Sequence, residues 1–257
     1  MKDVSVGNLS FAATMAALGI LGFVYGDFAL VWQEVPNWVP GRELLAYICA
    51  AIMFFCGVGL MLPRMARLAS GVLLVYLVLW LLLLRVPKVL VAPGVVVQWS
   101  SCGETAVYLA AGWALFAALF GSRDRGNSRF FTGDRGIRGA RLLYGLALIP
   151  CGLAHFAYAK ETADFIPEAW IPWHLGWAYL TGAAFLAAAI AILIKTRLAA
   201  LAATLSAVMM GVFTLMVWIP RVWSAPHERF QWTGLLISSA LAAGGWVVAD
   251  SYRRAAP

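Results

Sequence analysis

The sequence predicts an all-α, polytopic membrane protein with eight transmembrane helices, arranged as two tandem, parallel four-helix bundle repeats. Three observations predict it. Apolar residues make up 63% of the chain and charged residues only 12%, against roughly 45–50% and about 25% in soluble domains. Eight apolar runs approach the ~20 helical residues needed to cross a hydrocarbon layer about 30 Å thick. Finally, one stretch is written twice.

That stretch runs V-P-K-V-L-V-A-P-G-V-V-V-Q-W from Val86 to Trp99 and I-P-R-V-W-S-A-P-H-E-R-F-Q-W from Ile219 to Trp232. Pro87 pairs with Pro220, Lys88 with Arg221, Pro93 with Pro226, Gln98 with Gln231 and Trp99 with Trp232, all 133 positions apart. At an offset of 132 or 133, Trp38-Val39-Pro40 also falls on Trp170-Ile171-Pro172, Tyr47 on Tyr179 and Trp113 on Trp246. Such self-similarity marks a duplicated unit. It divides the chain into a first repeat over 1–121, a basic cytoplasmic linker over 122–140 and a second repeat over 141–257.

The apolar runs lie near 10–32, 43–62, 66–86, 103–121, 141–159, 174–194, 198–219 and 232–249. Their length and uniform apolarity predict helices, because a barrel strand is about ten residues of alternating character. The first run follows Lys2 and has the look of a secretion signal. Its length and its counterpart at 141–159 predict that it is retained.

Lys and Arg set the orientation. With the N-terminus inside, the inner segments hold Lys2, Arg64, Arg67, the linker cluster Arg123, Arg125, Arg129, Arg135, Arg138 and Arg141, then Lys195, Arg197, Arg253 and Arg254. The outer segments hold Arg42, Arg85, Lys88, Lys160, Arg221 and Arg229. Both termini are therefore expected in the cytoplasm of a bacterial-type inner membrane. An even number of spans per copy gives the two copies the same sense. The net charge of +7 follows from this topology and points to a bilayer, not to nucleic acid.

Ionisable residues near the outer boundary are the candidates for chemistry, since such a group in a span is costly and raises a functional hypothesis. Asp27 closes the first span in Val24-Tyr25-Gly26-Asp27-Phe28. It is read either as an interfacial partner of Arg42 or Arg85, or as part of a ligand site. Glu104 opens the fourth span, where the helix dipole is one sufficient reason for it and a functional role is the other. Pro87 and Pro93 predict an irregular segment after Arg85, packed over the bundle.

The four cysteines predict little chemistry. Cys49 and Cys56 lie two turns apart on one helix, about 10 Å by helical rise, too far for a disulfide. Cys102 and Cys151 map to the outer side, where pairing is chemically permitted. In span five, Pro150 should bend the helix, and His155 follows one turn from its outer end, as an interhelical hydrogen-bonding residue or a ligand. His155, His174 and His227 all map to the outer side of the second copy. Their spacing fits no compact metal motif. Most of the twelve Trp also map to the outer side, as an aromatic belt would place them.

Gly152-Leu153-Ala154-His155-Phe156, the proline-bearing Trp170-Ile171-Pro172 and Tyr179-Leu180-Thr181-Gly182 resemble DoxX-like integral membrane proteins, most clearly over 141–250. The first copy resembles a diverged second unit with Tyr25-Gly26-Asp27-Phe28 in place of the histidine element. The resemblance implies a four-helix membrane bundle and an association with quinone-linked membrane redox systems. Family members often carry an acidic residue or histidine after the Tyr-x-x-Gly; here Ala183, Ala184 and Phe185 stand there.

Three functions follow from these readings. The first is an accessory subunit of a membrane redox system, with the bilayer and a redox protein as partners, that binds a quinone or lipid at the outer face. Its candidate ligand residues are Asp27, Glu104 and His155, with Tyr47, Tyr179, Trp99, Trp232, Arg85 and His174 around them. The sequence has no haem attachment motif, Fe–S cysteine cluster or metal motif, so quinone is the one cofactor implied and no residue is assigned a catalytic role. The second is a small-molecule transporter built from parallel repeats. The third is a membrane scaffold without catalysis.

Overall fold

The computed structural model describes residues 5–121, 130–166 and 171–253. Lys2, Arg123, Arg125, Arg129, Glu168, Trp170 and Arg254 lie outside the described residues. The described residues form helices and no strand. Eight helices are long and apolar enough to cross a membrane. We label them α1 (Val6–Tyr25), α2 (Arg42–Met61), α3 (Ala66–Val91), α4 (Val96–Phe120), α5 (Gly133–Ala157), α7 (His174–Leu193), α8 (Ala199–Ser224) and α9 (Arg229–Arg253). The short α6 (Ala159–Asp164) follows α5.

Several helices extend past the apolar runs. α4 starts at Val96 and not near 103, and α5 starts at Gly133 and not near 141. Hydropathy locates the apolar middle of a helix, while polar turns such as Gln98-Trp99-Ser100-Ser101 continue the same hydrogen-bond ladder beyond it. The first span is displaced the other way. Gly26 takes a left-handed conformation (φ 59°) and ends α1 at Tyr25, so Asp27 lies beyond the helix and not within it.

The element boundaries recur along the chain. α2 and α7 begin and end 132 positions apart; α3 and α8, and likewise α4 and α9, begin and end 133 apart. α3 and α8 each contain one π-helical turn, Leu81–Arg85 and Thr214–Trp218. Each turn ends just before the repeated proline, with Val86 N–H bonded to Leu81 O and Ile219 N–H to Thr214 O. Proline lacks an N–H and its ring crowds the carbonyl four residues back. A wider turn at that point lets the helix continue.

This corrects the expectation of an irregular stretch from Val86 onward: helix persists through Pro87 to Val91, and only 92–95 are non-helical. The turn that follows is closed identically in both places. Trp99 Nε1 donates to Pro93 O at 2.8 Å, and Trp232 Nε1 donates to Pro226 O at 2.8 Å.

Consecutive helices pack against one another within each half, and the halves meet through α4 on α5, α1 on α9, and α4 on α9. Small residues allow these approaches, as is usual where helices cannot rely on water exclusion. A Cβ on Gly103 of α4 would stand 2.6 Å from Ala147 O of α5. Tyr108 and Tyr144 are fully buried, and each hydroxyl is satisfied: Tyr108 donates to Ile237 O at 3.1 Å, and Tyr144 bonds Ser206 Oγ at 2.9 Å.

One end of the bundle gathers the 26–41 loop, the turns at 92–95 and 225–228, and the end of α5. Asp27 reaches Arg229, Glu34 reaches Lys88, and Arg221 donates to Asp164 O. The opposite end is tied by Arg141 Nε to Ser251 Oγ at 2.9 Å. Outward faces of the helices are apolar, with Leu44, Phe55, Leu83, Leu205 and Leu215 all exposed.

Candidate functional site

The 26–41 loop carries two polar clusters. In the first, Asp27 is held between the opening residues of two helices. Its carboxylate meets Arg42 Nη1 of α2 at 2.5 Å and Arg229 Nη1 of α9 at 3.1 Å, and it accepts the Phe28 N–H at 2.8 Å. Arg229 also donates to Phe28 O and lies over the Tyr25 ring, while Arg42 lies over the Phe28 ring. Burial pushes the Asp27 carboxyl upward, but the Phe28 N–H and the two guanidiniums outweigh it and hold the acid below its ordinary value. Of the two partners expected for Asp27, Arg42 is the one found. Arg229, read from the sequence only as an outer charge, is the addition.

The second cluster centres on Arg85, the last residue of the α3 π turn, whose side chain is 3% exposed. Its Nη2 donates to Val31 O at 2.5 Å and Trp32 O at 2.6 Å, and its Nη1 lies 3.5 Å from Glu34 Oε2. Glu34 is also paired with Lys88. Arg85 Nε is buried without a hydrogen-bond partner. Glu104 of α4 is half-buried and within electrostatic reach of Arg85.

Glu104 sits more than two turns inside α4, whose first turn has no acidic residue. The helix dipole therefore does not account for it, because that effect fades beyond the first turn. The expectation rested on placing the helix start near 103.

Backbone strain accompanies the Arg85 cluster. Val31 adopts φ 67°, a left-handed conformation that is a genuine outlier for a β-branched residue, and its carbonyl is one of those Arg85 holds. Gln33 fixes the loop below: its Oε1 accepts the Ala29 N–H at 2.8 Å and its Nε2 donates to the Tyr76 hydroxyl at 2.6 Å. Trp32 packs edge-on against Tyr108 at 5.2 Å.

A groove of about 480 Å³ opens beside this cluster between α4 and α5. Its walls are apolar and include Leu81, Trp99, Cys102, Leu146 and Pro150. Cys102, which forms part of the wall, is also within electrostatic reach of Arg85. Gly103 is what brings α4 and α5 together here. At the corresponding place in α9, one helix repeat later, the chain has Leu235 and Leu236 where α4 has Cys102 and Gly103.

The remaining sequence candidates lie apart. His155 Nδ1 bonds its own helix at Cys151 O (2.8 Å) and its ring packs on Phe185 at 5.4 Å. Tyr179 packs at a tilt against Phe156, Tyr47 stacks on Phe23, and both are partly exposed. His174 is the first residue of α7. Trp232 closes its own turn, as described. Among the sequence candidates, Arg85 and Glu104 are thus within electrostatic reach of each other, and Trp99 lines the groove without a contact to either; Asp27 forms a separate clasp, and His155 belongs to none of these.

Among the described residues no three His, Cys, Asp or Glu side chains gather as a metal site, and the four cysteines are free thiols. Sequence reasoning missed Glu34, Gln33 and Arg229. Glu34 had a signal, being the one acid in the outer loop besides Asp27; Arg229 had none beyond its charge. No family model, curated protein or solved structure matches the chain.

Proposed function

We propose that this chain is a multi-pass membrane protein of DoxX-like type, built from two like-oriented four-helix units, that holds an amphipathic, lipid-soluble molecule at its outer end. The paired helix boundaries, the two π turns before the repeated prolines and the two identical Trp-to-Pro hydrogen bonds support the duplicated design. The uneven distribution of Lys and Arg supports cytoplasmic termini in an inner membrane.

The observation that carries the ligand reading is the groove between α4 and α5. It is apolar and open at the bundle surface, where a hydrocarbon or isoprenoid tail would lie, and Cys102 in its wall is within electrostatic reach of the buried Arg85. Apolar clefts with a few placed polar groups are the usual form of a small-molecule site. A quinone or a lipid fits that form. The sequence has no haem attachment motif or Fe–S cysteine cluster, and the role proposed is that of an accessory to a membrane redox partner.

Native mass spectrometry of protein extracted in mild detergent tests this reading. The expected result is a co-purified quinone or lipid, lost when Leu146→Trp fills the groove from its exposed side. Equal ligand occupancy in wild type and Leu146→Trp would remove the groove from the account.

A further inference from the structure

The end of the bundle opposite the 26–41 loop is strongly basic. Among the described residues it carries Arg64 and Arg67 at the start of α3, Arg135, Arg138 and Arg141 in the first turns of α5, Lys195 and Arg197 between α7 and α8, and Arg253 at the end of α9, against Asp134 and Asp250. Arg141 is used by Ser251 and the Tyr252 ring, and Arg253 by Asp250 and the Trp246 ring. Arg135 and Arg138 are exposed neighbours at i and i+3, with no hydrogen bond or ion pair among the described residues.

Beside them a run of aromatic rings crosses α4 to α3. Arg67 sits 5.9 Å over the Phe120 ring, Phe120 packs on Phe116 at 4.5 Å, and Trp113 lies one turn further along the same face of α4. Trp113 meets Phe130 at 6.3 Å and Phe131 at 6.0 Å, and its Nε1 donates to Phe131 O at 3.0 Å. Gly139 of α5 makes room for this, since a Cβ there would run into the Trp113 ring. Arg135 stands one turn before Gly139 on the same helix face.

Phe130 and Phe131 nevertheless remain 63% and 54% exposed. Exposed aromatic rings beside unpaired arginines, at the ends of membrane-spanning helices, suit the level where acyl chains meet head groups. An acidic protein would satisfy the arginines and leave the rings uncovered. A phospholipid supplies a phosphate for the one and a chain for the other.

The matching corner 133 positions on is built differently. Trp246 packs against Gly7 of α1, but Ala200, Ala249 and Arg253 stand at the places of Arg67, Phe116 and Phe120, and Arg253 is already committed. The patch also stands apart from the groove, none of whose lining residues belongs to it.

We propose that the corner of α3, α4 and α5 at this end is a binding site for one anionic phospholipid. Arg135 and Arg138 hold its charged head group, Phe130, Phe131 and Trp113 take its chain, and Arg67 bounds the far side. The site does not depend on the groove, nor on which side of the membrane this end faces.

The test uses the full chain in detergent, stripped of lipid, and native mass spectrometry with phosphatidylglycerol and phosphatidylcholine of identical chains. One phosphatidylglycerol should be retained per chain under conditions that release phosphatidylcholine. A basic residue near an anionic surface is worth about a fivefold change in binding, so Arg135→Gln with Arg138→Gln should weaken retention about 25-fold. Phe130→Ser with Phe131→Ser should weaken it as well. Lys195→Gln with Arg197→Gln removes the same charge from the same end without touching the rings, and should leave retention unchanged. Thermal transitions check that each variant is folded.

Equal losses in the two charge variants would reduce the effect to diffuse positive charge and overturn the site. Wild-type retention in the Phe130 and Phe131 variant, equal retention of phosphatidylcholine, or displacement by millimolar inorganic phosphate would overturn it too. A polyglutamate peptide that displaced phosphatidylglycerol would replace the lipid with an acidic protein partner.

Discussion

Asp27 and Arg229 are 202 positions apart and form an ion pair at 3.1 Å. The second residue after α1 is thereby joined to the first turn of α9, on the other half of the chain. Arg42 completes the clasp from α2. Each partner is a quarter or so exposed, so the pair is worth less than a buried one but more than a solvated contact. A double-mutant cycle between Asp27→Asn and Arg229→Gln should show coupling of about 1 kcal/mol. Thermal unfolding in detergent reads it; strict additivity would mean the halves are not joined there.

The same carboxylate predicts a pH dependence. Its folded value lies below the ordinary 3.8, so its stabilisation is complete above the unfolded value and is lost as pH falls through the folded one. The contribution of Asp27 should be constant from neutral pH to about 4 and decline only below that. The difference in stability between wild type and Asp27→Asn, followed by thermal transition from pH 7 to 3, should shrink only at the acidic end.

Arg85 should be more costly to remove. Arg85→Met leaves the Val31 and Trp32 carbonyls without their donor and Glu104 without a counter-charge, a loss of about 3 kcal/mol by analogy with broken buried pairs. Arg85→Lys should rescue little, because one ammonium cannot reproduce a fork that serves two carbonyls and an acid. Limited proteolysis of the 26–41 loop and the thermal transition measure both variants.

Val31 supplies an opposite sign. Its φ of 67° costs an L-residue roughly 1–2 kcal/mol, and its side chain is largely outside the core, at 48% exposure. Glycine relieves that strain but has more freedom to lose on folding, roughly 0.5–1 kcal/mol, so Val31→Gly should raise stability by only about 0.5 kcal/mol. A fall would mean that the valine makes a contact worth more than the strain.

Two glycines separate close packing from open turns. A Cβ at Gly103 would stand 2.6 Å from the Ala147 carbonyl, whereas nothing lies within 4 Å of one at Gly94. Gly103→Ala should lower the thermal transition by several degrees; Gly94→Ala should leave it within about 0.5 kcal/mol of wild type.

The eight span-length helices were legible because apolar runs of that length stand in the sequence; beside them, the Pro-x-x-x-x-x-Pro turns ending in Gln-Trp recur 133 positions apart. Helix ends were not, since Gln98 and Arg135 look like loop residues to a hydropathy count yet continue a helix. That error carried into Glu104, which seemed to be a dipole residue only while α4 was thought to begin near 103. The site was partly legible. Asp27, Arg85 and Glu104 stood out as charges beside apolar runs, and the Asp27 to Arg42 pairing followed from proximity in sequence. Arg229 did not, because its partner is set by how α9 packs on α1. The three histidines drew notice by rarity, and His155 instead satisfies its own helix at Cys151 O.

Membrane sidedness tests the central claim of two like-oriented units most directly. In a chain whose four cysteines are replaced by alanine, single cysteines would be introduced by Gly94→Cys, His227→Cys, Arg64→Cys and Lys195→Cys and exposed to a membrane-impermeant maleimide in intact cells. The account predicts labelling at 94 and 227 before lysis, and at 64 and 195 only after it. Labelling of 94 and 227 from opposite sides of the membrane would contradict it.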